Sequence, residues 1–187
     1  MTQTATLKNQ LLIAMPSLED PNFSRTVTYI CEHGEQGAMG IVLNRPTELC
    51  LADVLKHMDI GGDLGDAGEQ IVFLGGPVEE ERGFVLHSHT APWDSTLAVN
   101  EKLSVTTSRD ILEAMARGDG PAHTLVALGY AGWGAGQLER EIQDNAWLSG
   151  PADQSILFDL PPDQRWKAAA RLLGVDVNLL SSEAGHA

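Results

Sequence analysis

Basic residues are scarce in this chain. Lysine and arginine number 12 against 26 acids, which leaves a formal charge of −14. Nucleic-acid binding draws on Lys and Arg to neutralise phosphates, and the nearest thing to a basic cluster is a pair such as Arg165 with Lys167. Direct binding to DNA or RNA is disfavoured on that ground, as is attraction to an anionic membrane surface. Cysteine is rarer still. Cys31 and Cys50 are too few and too far apart for a metal knuckle or a Cys-x-x-Cys redox pair, and they read as small buried hydrophobes in a reducing compartment. Long apolar runs are missing too. Leu11 to Met15 stops at Pro16, well short of the roughly eighteen residues of a membrane span and unlike a secretory signal. The expectation is a cytoplasmic protein without a membrane partner.

What is present suits one folded unit. The chain has 187 residues, 43% of them hydrophobic, and a chain of this size buries roughly 70% of its unfolded surface. No internal repeat or linker divides it, so residues 1–187 read as a single domain with loosely held ends near 1–6 and 181–187.

Leu11 to Ala14 predicts a short buried strand. Val27 to Glu32 and Ala38 to Leu43 predict a hairpin across the glycines of 33–37, with Pro46 ending the second strand. Leu51, Val54, Leu55 and Met58 repeat at helical spacing up to Gly61-Gly62, and Asp63 to Gln70 reads as loop. Ile71 to Leu74 and Gly83 to His87 predict neighbouring strands, and Ser95 to Val99 and Leu103 to Thr106 predict two more. Thr107 offers an N-cap for a helix through Ile111, Leu112, Met115 and Ala116 that ends at Gly118. Thr124 to Leu128 is a core strand running into a glycine-rich turn over 129–136, with a short helix from Gln137. Ile156 to Phe158 predicts a late strand. Pro161-Pro162-Asp163 opens a last helix carrying Trp166, Ala169, Ala170 and Leu173, which Gly174 ends. Hairpins with three or four helices, without regular β-α alternation, argue for an α+β fold with a largely antiparallel or mixed sheet.

Among segments able to carry chemistry, Gly129-Tyr130-Ala131-Gly132-Trp133 leading to Gln137-Leu138-Glu139 has the strand-glycine-helix order of a phosphate cradle. It lacks the Lys-Ser/Thr of a Walker loop and the Gly-x-Gly-x-x-Gly spacing, and Glu139 and Glu141 would repel a phosphate. The plainer reading is a tight turn that packs Trp133 and Leu138 against the sheet. His87-Ser88-His89 puts two imidazoles on one strand face but lacks an evident third metal ligand. Ser88 has no nucleophile elbow around it, and Glu79-Glu80-Glu81 reads as a solvated charge run. Asn44-Arg45-Pro46 sits at a strand exit, where polar groups are well placed for a ligand. A structural alternative pairs Arg45 with a carboxylate and gives Asn44 to a turn.

These segments also carry a resemblance. Leu12-Ile13-Ala14-Met15-Pro16, Pro21-Asn22-Phe23, Gly37-Ala38-Met39-Gly40 and Asn44-Arg45-Pro46 resemble the opening of the AlgH/YqgE family of bacterial proteins. Gly75-Gly76-Pro77-Val78, Arg82 to His87, Gly129 to Trp133 with Gly136 to Glu139, and Asn145-Ala146-Trp147 continue it. So does the terminal Ala184-Gly185-His186-Ala187, and the match covers nearly all of 7–187. The resemblance implies a barrel-like mixed sheet flanked by helices. It also implies a regulatory role, since one branch is associated with alginate production and labelled as transcriptional regulators. It carries over no catalytic residue. With a charge of −14 and no basic recognition helix, acting on transcription through a protein or metabolite is the easier physical route.

The sequence therefore predicts a cytosolic regulatory or adaptor protein binding a protein partner or a small molecule, with no cofactor and no metal. Its binding candidates are Asn44, Arg45, Gly129, Gly132, Trp133, Gln137 and Glu139. The alternative is an enzyme with its site between Asn44-Arg45 and the Gly132-Trp133 turn, and the third reading is a direct DNA-binding regulator.

Overall fold

The alternation of Leu11, Leu12, Ile13 and Ala14 is the pattern of a strand with cores on both faces. In the computed structural model, which describes residues 6–62, 65–88 and 93–176, that is what they form. Leu11 and Ile13 join Val27, Tyr29, Cys31, Ile41 and Leu43 in one core, while Leu12 and Ala14 join Ile30, Trp133 and Trp147 in another. Period-two side chains thus feed two apolar layers from one sheet, and each such burial contributes roughly 1.5–3 kcal/mol. His89 and the terminal 181–187 segment lie outside the described residues, as does most of the 1–6 segment.

The strands in chain order are β1 (Gln10–Ala14), β2 (Val27–Gly34), β3 (Gly37–Val42), β4 (Pro46–Cys50), β5 (Ile71–Leu74), β6 (Val78–Ser88), β7 (Thr96–Ala98), β8 (Leu103–Thr106), β9 (Thr124–Gly134) and β10 (Trp147–Pro151). Helices α1 (Leu51–His57), α2 (Arg109–Ala116), α3 (Gln137–Gln143) and α4 (Pro162–Leu172) flank them. The sheet runs β10-β1-β2-β3-β9-β6-β8-β7, with β4 and β5 branching from β9. Every described pairing is antiparallel except β5 with β9. The fold is the expected α+β class, with a barrel-like, largely antiparallel sheet.

Several local expectations are corrected. The glycine-rich segment is not a turn: Gly129 to Gly134 continue β9, and β9 pairs with β3 at that end and with β5 and β6 at the other. Glycine is needed where the backbone bends between these pairings. Gly129 has φ +77°, and a Cβ there would stand 2.5 Å from the Gly76 carbonyl oxygen. Gly83 to His87 does not neighbour Ile71 to Leu74, because β9 lies between them. Pro46 opens β4 instead of merely ending β3, and among the described residues β4 pairs only with β5, the edge position where a proline is tolerated. Ile156 to Phe158 form a π-helical turn, with Ile156 and Leu157 both buried, where a strand would turn one of them away. Ser108, not Thr107, is the α2 N-cap. The β10 strand had no counterpart in the sequence reading.

The α4 helix starts on Pro162, whose fixed φ suits the first helical position, and buries Arg165, Trp166, Ala169 and Ala170. Trp166 Nε1 donates to the Ala14 carbonyl at 2.9 Å, which locks the helix across β1. Helices α1 and α2 cover the other end of the sheet, where Leu51, Leu55, Ile111, Leu112 and Met115 pack on Val72, Val85 and Val126.

Candidate functional site

Asn44 and Arg45 both turn onto the segment between β1 and β2. Asn44 Oδ1 accepts from the Val27 amide at 3.0 Å and its Nδ2 donates to the Arg25 carbonyl at 2.9 Å. Arg45 donates from Nη1 to the Pro21 carbonyl at 2.6 Å and from Nη2 to the Ser24 carbonyl at 3.0 Å. The partners of Arg45 are main-chain oxygens, not the carboxylate that the sequence suggested. Both residues therefore act as staples on the 20–27 loop in this arrangement.

Trp133 is buried, and its Nε1 donates to Glu141 Oε1 at 3.1 Å. Trp147 Nε1 donates to the same oxygen at 3.0 Å, and Gln137 Nε2 donates to Glu141 Oε2 at 2.8 Å. Gln137 Oε1 accepts from the Gly134 amide at 2.9 Å, so this side chain sits where a phosphate cradle would have its opening. Glu139 lies 2.8 Å from His33 Nε2. Because the Leu7 amide donates to His33 Nδ1 at 2.9 Å, the ring proton is on Nε2 and points at Glu139. Gly129 serves the bend in β9, and Gly132 lines an open hollow with Tyr130 and Arg82. The Asn44-Arg45 pair and the Gly132-Trp133 segment are linked through Phe23, which stacks on Trp133.

His87 is buried inside the sheet. Its Nδ1 lies 2.8 Å from the Ser88 carbonyl, so Nε2, 2.7 Å from Thr106 Oγ1, is the acceptor. Among the described residues no group of three or more His, Cys, Asp and Glu is placed to hold a metal ion. Cys31 and Cys50 are both free thiols.

A larger concavity lies elsewhere, between α1 and α2. It encloses about 750 Å³, within the range of ligand and side-chain docking pockets. Its apolar surface comes from Val54, Met58, Leu112 and Leu128, extended by Leu49 at 42% exposure. Asp53, Glu80 and Glu81 stand at the rim. The one arginine in its lining is already engaged: Arg109 Nη1 donates to the Met58 carbonyl at 2.8 Å and its Nε lies 3.7 Å from Glu113. Asp53 accepts from the Cys50 amide at 2.9 Å and from its thiol at 3.2 Å, which hold its carboxyl below the usual range. Sequence reasoning missed this site because the apolar residues were assigned wholly to helix packing and Glu79 to Glu81 to solvent.

A family model described as AlgH-like matches residues 11–178. The chain belongs to the AlgH-like family. A UPF0301 protein of Thioalkalivibrio sulfidiphilus is 66% identical over 187 residues, covering 100% of both chains. A UPF0301 protein of Methylococcus capsulatus is 57% identical over 180 residues, 96% of each. The solution structure of the AlgH protein from Pseudomonas aeruginosa superposes with a TM-score of 0.80 at 52% identity, covering 100% of both chains. A crystal structure from Corynebacterium diphtheriae shares the AlgH-like fold at a TM-score of 0.75 and 21% identity, covering 97% of this chain and 94% of that one. No helix of the described residues is long and apolar enough to cross a membrane.

Proposed function

We propose that this AlgH-like protein is a cytosolic, non-catalytic adaptor that docks a basic amphipathic segment of a partner protein in the groove between α1 and α2. One observation carries the reading: an apolar groove whose rim presents Asp53, Glu80 and Glu81 while its one arginine is tied to Met58 and Glu113. A segment with apolar anchors on one face and Lys or Arg on its flanks matches both features. The formal charge of −14 adds long-range attraction for such a partner and repels nucleic acid. Any effect on transcription then passes through the partner, and the free thiols fit a reducing compartment.

Anisotropy titrations with a labelled Leu/Lys amphipathic helical peptide test this, beside a scrambled peptide of the same composition and a DNA duplex. The amphipathic peptide should bind at least about tenfold more tightly than the scrambled one, because only it presents a contiguous apolar face. Leu49→Glu and Met58→Glu separate docking from bulk attraction. Each makes the protein more acidic, so binding driven by net charge alone would strengthen, whereas groove docking would weaken. Equal affinity for both peptides, undiminished binding by these variants, or tighter sequence-dependent binding to the duplex would each refute the proposal.

A further inference from the structure

Among the described residues, Arg165 is the one Lys, Arg, Asp or Glu that is buried, at 5% exposure. Its Nε donates to the Leu160 carbonyl at 2.8 Å, and Nη1 donates to the carbonyls of Leu43 at 2.9 Å and Leu157 at 3.4 Å. The guanidinium carbon lies 5.1 Å from the centre of the Phe73 ring. These oxygens and this ring satisfy donors without neutralising the charge. Among the described residues no carboxylate lies within ion-pair distance of it, and no acceptor bonds to Nη2. Burial pulls the guanidinium pKa down, and the exposed Asp159, acting from a distance, only partly opposes that. A buried charge without a counter-ion is costly unless something else completes it.

Arg165 lines a cavity of about 440 Å³ bounded by the start of β9 and the turn into α4. His123 lines it too, stacked on Phe158 with centroids 5.6 Å apart. Gln154 Nε2 stands 3.0 Å from His123 Nε2. An amide nitrogen can only donate, so His123 Nε2 accepts and its proton is on Nδ1, which leaves that atom a donor. Phe158, Leu160 and Pro161 make up an apolar wall.

We propose that this cavity binds a small organic acid, its single carboxylate completing Arg165 with help from His123 and its apolar body lying on the Phe158–Pro161 wall. A monoanion is preferred to a phosphate dianion for a physical reason. The cavity holds one fixed cation, Asp159 also lines it, and the whole chain is acidic, so a second negative charge would be uncompensated. The site is separate from the α1–α2 groove and independent of what docks there.

Calorimetric and amide-shift titrations of the full chain with benzoate, benzamide and inorganic phosphate test it. Benzoate should bind at least about tenfold more tightly than neutral benzamide, the factor expected of a charge-assisted hydrogen bond, with shifts centred on Thr124 and Phe158 to Leu160. His123→Ala should weaken benzoate several-fold, and Arg165→Met should abolish the preference over benzamide. If Arg165→Met does not fold, the benzamide comparison and His123→Ala still decide. Benzamide binding as well as benzoate, shifts centred elsewhere, no benzoate binding at roughly 10 mM, or phosphate binding more tightly than benzoate would overturn the assignment.

Discussion

The ring of Phe23 lies over that of Trp133, with centroids 5.9 Å apart and planes inclined by 30°. Phe23 also meets Trp147 edge-on at 5.6 Å, so one loop residue closes the apolar cluster beneath α3. The loop reaches that cluster because Arg45 grips it on both sides, at Pro21 and Ser24. The strand-exit arginine and the glycine-rich strand therefore communicate through a packed aromatic ring.

This makes Arg45→Ala costlier than a surface change. Two hydrogen bonds to carbonyls are lost and the loop is loosened, an effect of about 1–3 kcal/mol. At roughly 2–4 °C per kcal/mol for a chain of this size, a melting curve should fall by several degrees. Tryptophan fluorescence should change as well, since Phe23 touches two of the four tryptophans. A wild-type melt with an unchanged spectrum would show that the loop holds without Arg45.

The two glycines singled out in the sequence should behave in opposite ways. Gly129 combines φ +77° with a Cβ position 2.5 Å from a backbone oxygen, so neither the conformation nor the space admits alanine. Gly129→Ala should cost at least about 3 kcal/mol or prevent folding. Gly132 is not among the positive-φ glycines, and a Cβ there meets the Tyr130 ring at 3.4 Å and Val78 Cγ2 at 3.9 Å, both ordinary side-chain contacts. Gly132→Ala should fold normally, within about 1 kcal/mol of the parent. Chemical denaturation of both variants checks this, and similar losses in the two would contradict the geometry.

The strands that carry two apolar faces were legible because β1 and β2 spell out their alternation residue by residue. The apolar spacing of α2 and α4 was equally plain. The β9 segment was misread because glycine ordinarily signals a turn, and here it serves a strand that crosses close to Gly75 and Gly76, a long-range fact. Asn44 and Arg45 do sit as polar groups at a strand exit, yet their partners are main-chain amide and carbonyl groups some twenty residues earlier, which no local pattern reveals. Arg165 left a trace: it falls four residues before Ala169, on the buried side of α4. A base on an apolar stripe in a chain with few bases was a usable signal. The α1–α2 groove left none, since its floor and its rim come from four separate segments.

The two thiols should react at very different rates. Cys31 is fully buried, and burial pushes its pKa far up, with Glu32 adding to the shift. Cys50 is half-exposed at the start of α1. A thiolate reagent should therefore titrate one thiol in the native protein and both in denaturant. Rapid native labelling of Cys31 would mean that the β2 core opens far more readily than its packing allows.

Asp110 supplies a pH-dependent part of the stability beside the groove. Burial alone would raise its pKa, but Ser108 Oγ at 2.5 Å and the amides of Asp94 at 2.8 Å and Ile111 at 2.9 Å all donate to it, and together they hold the carboxyl below its ordinary value. Its place in the first turn of α2 acts in the same direction. A depressed carboxyl pKa means that the folded state releases the proton more readily than the unfolded chain. The stabilisation is therefore complete above the unfolded value, about 3.9, and is lost as pH falls through the folded one. Asp110→Asn keeps the shape but cannot be ionised, so it should lower stability by about 1 kcal/mol near neutrality, a modest figure because the group is half-buried and still reached by solvent. The gap between the two proteins should then narrow below about pH 4, as wild-type Asp110 itself takes up a proton. Urea midpoints measured from pH 7 down to the acid limit give the comparison. A gap that stays constant with pH would show that shape and neutral hydrogen bonding, not the carboxylate charge, tie the Asp94 segment to α2.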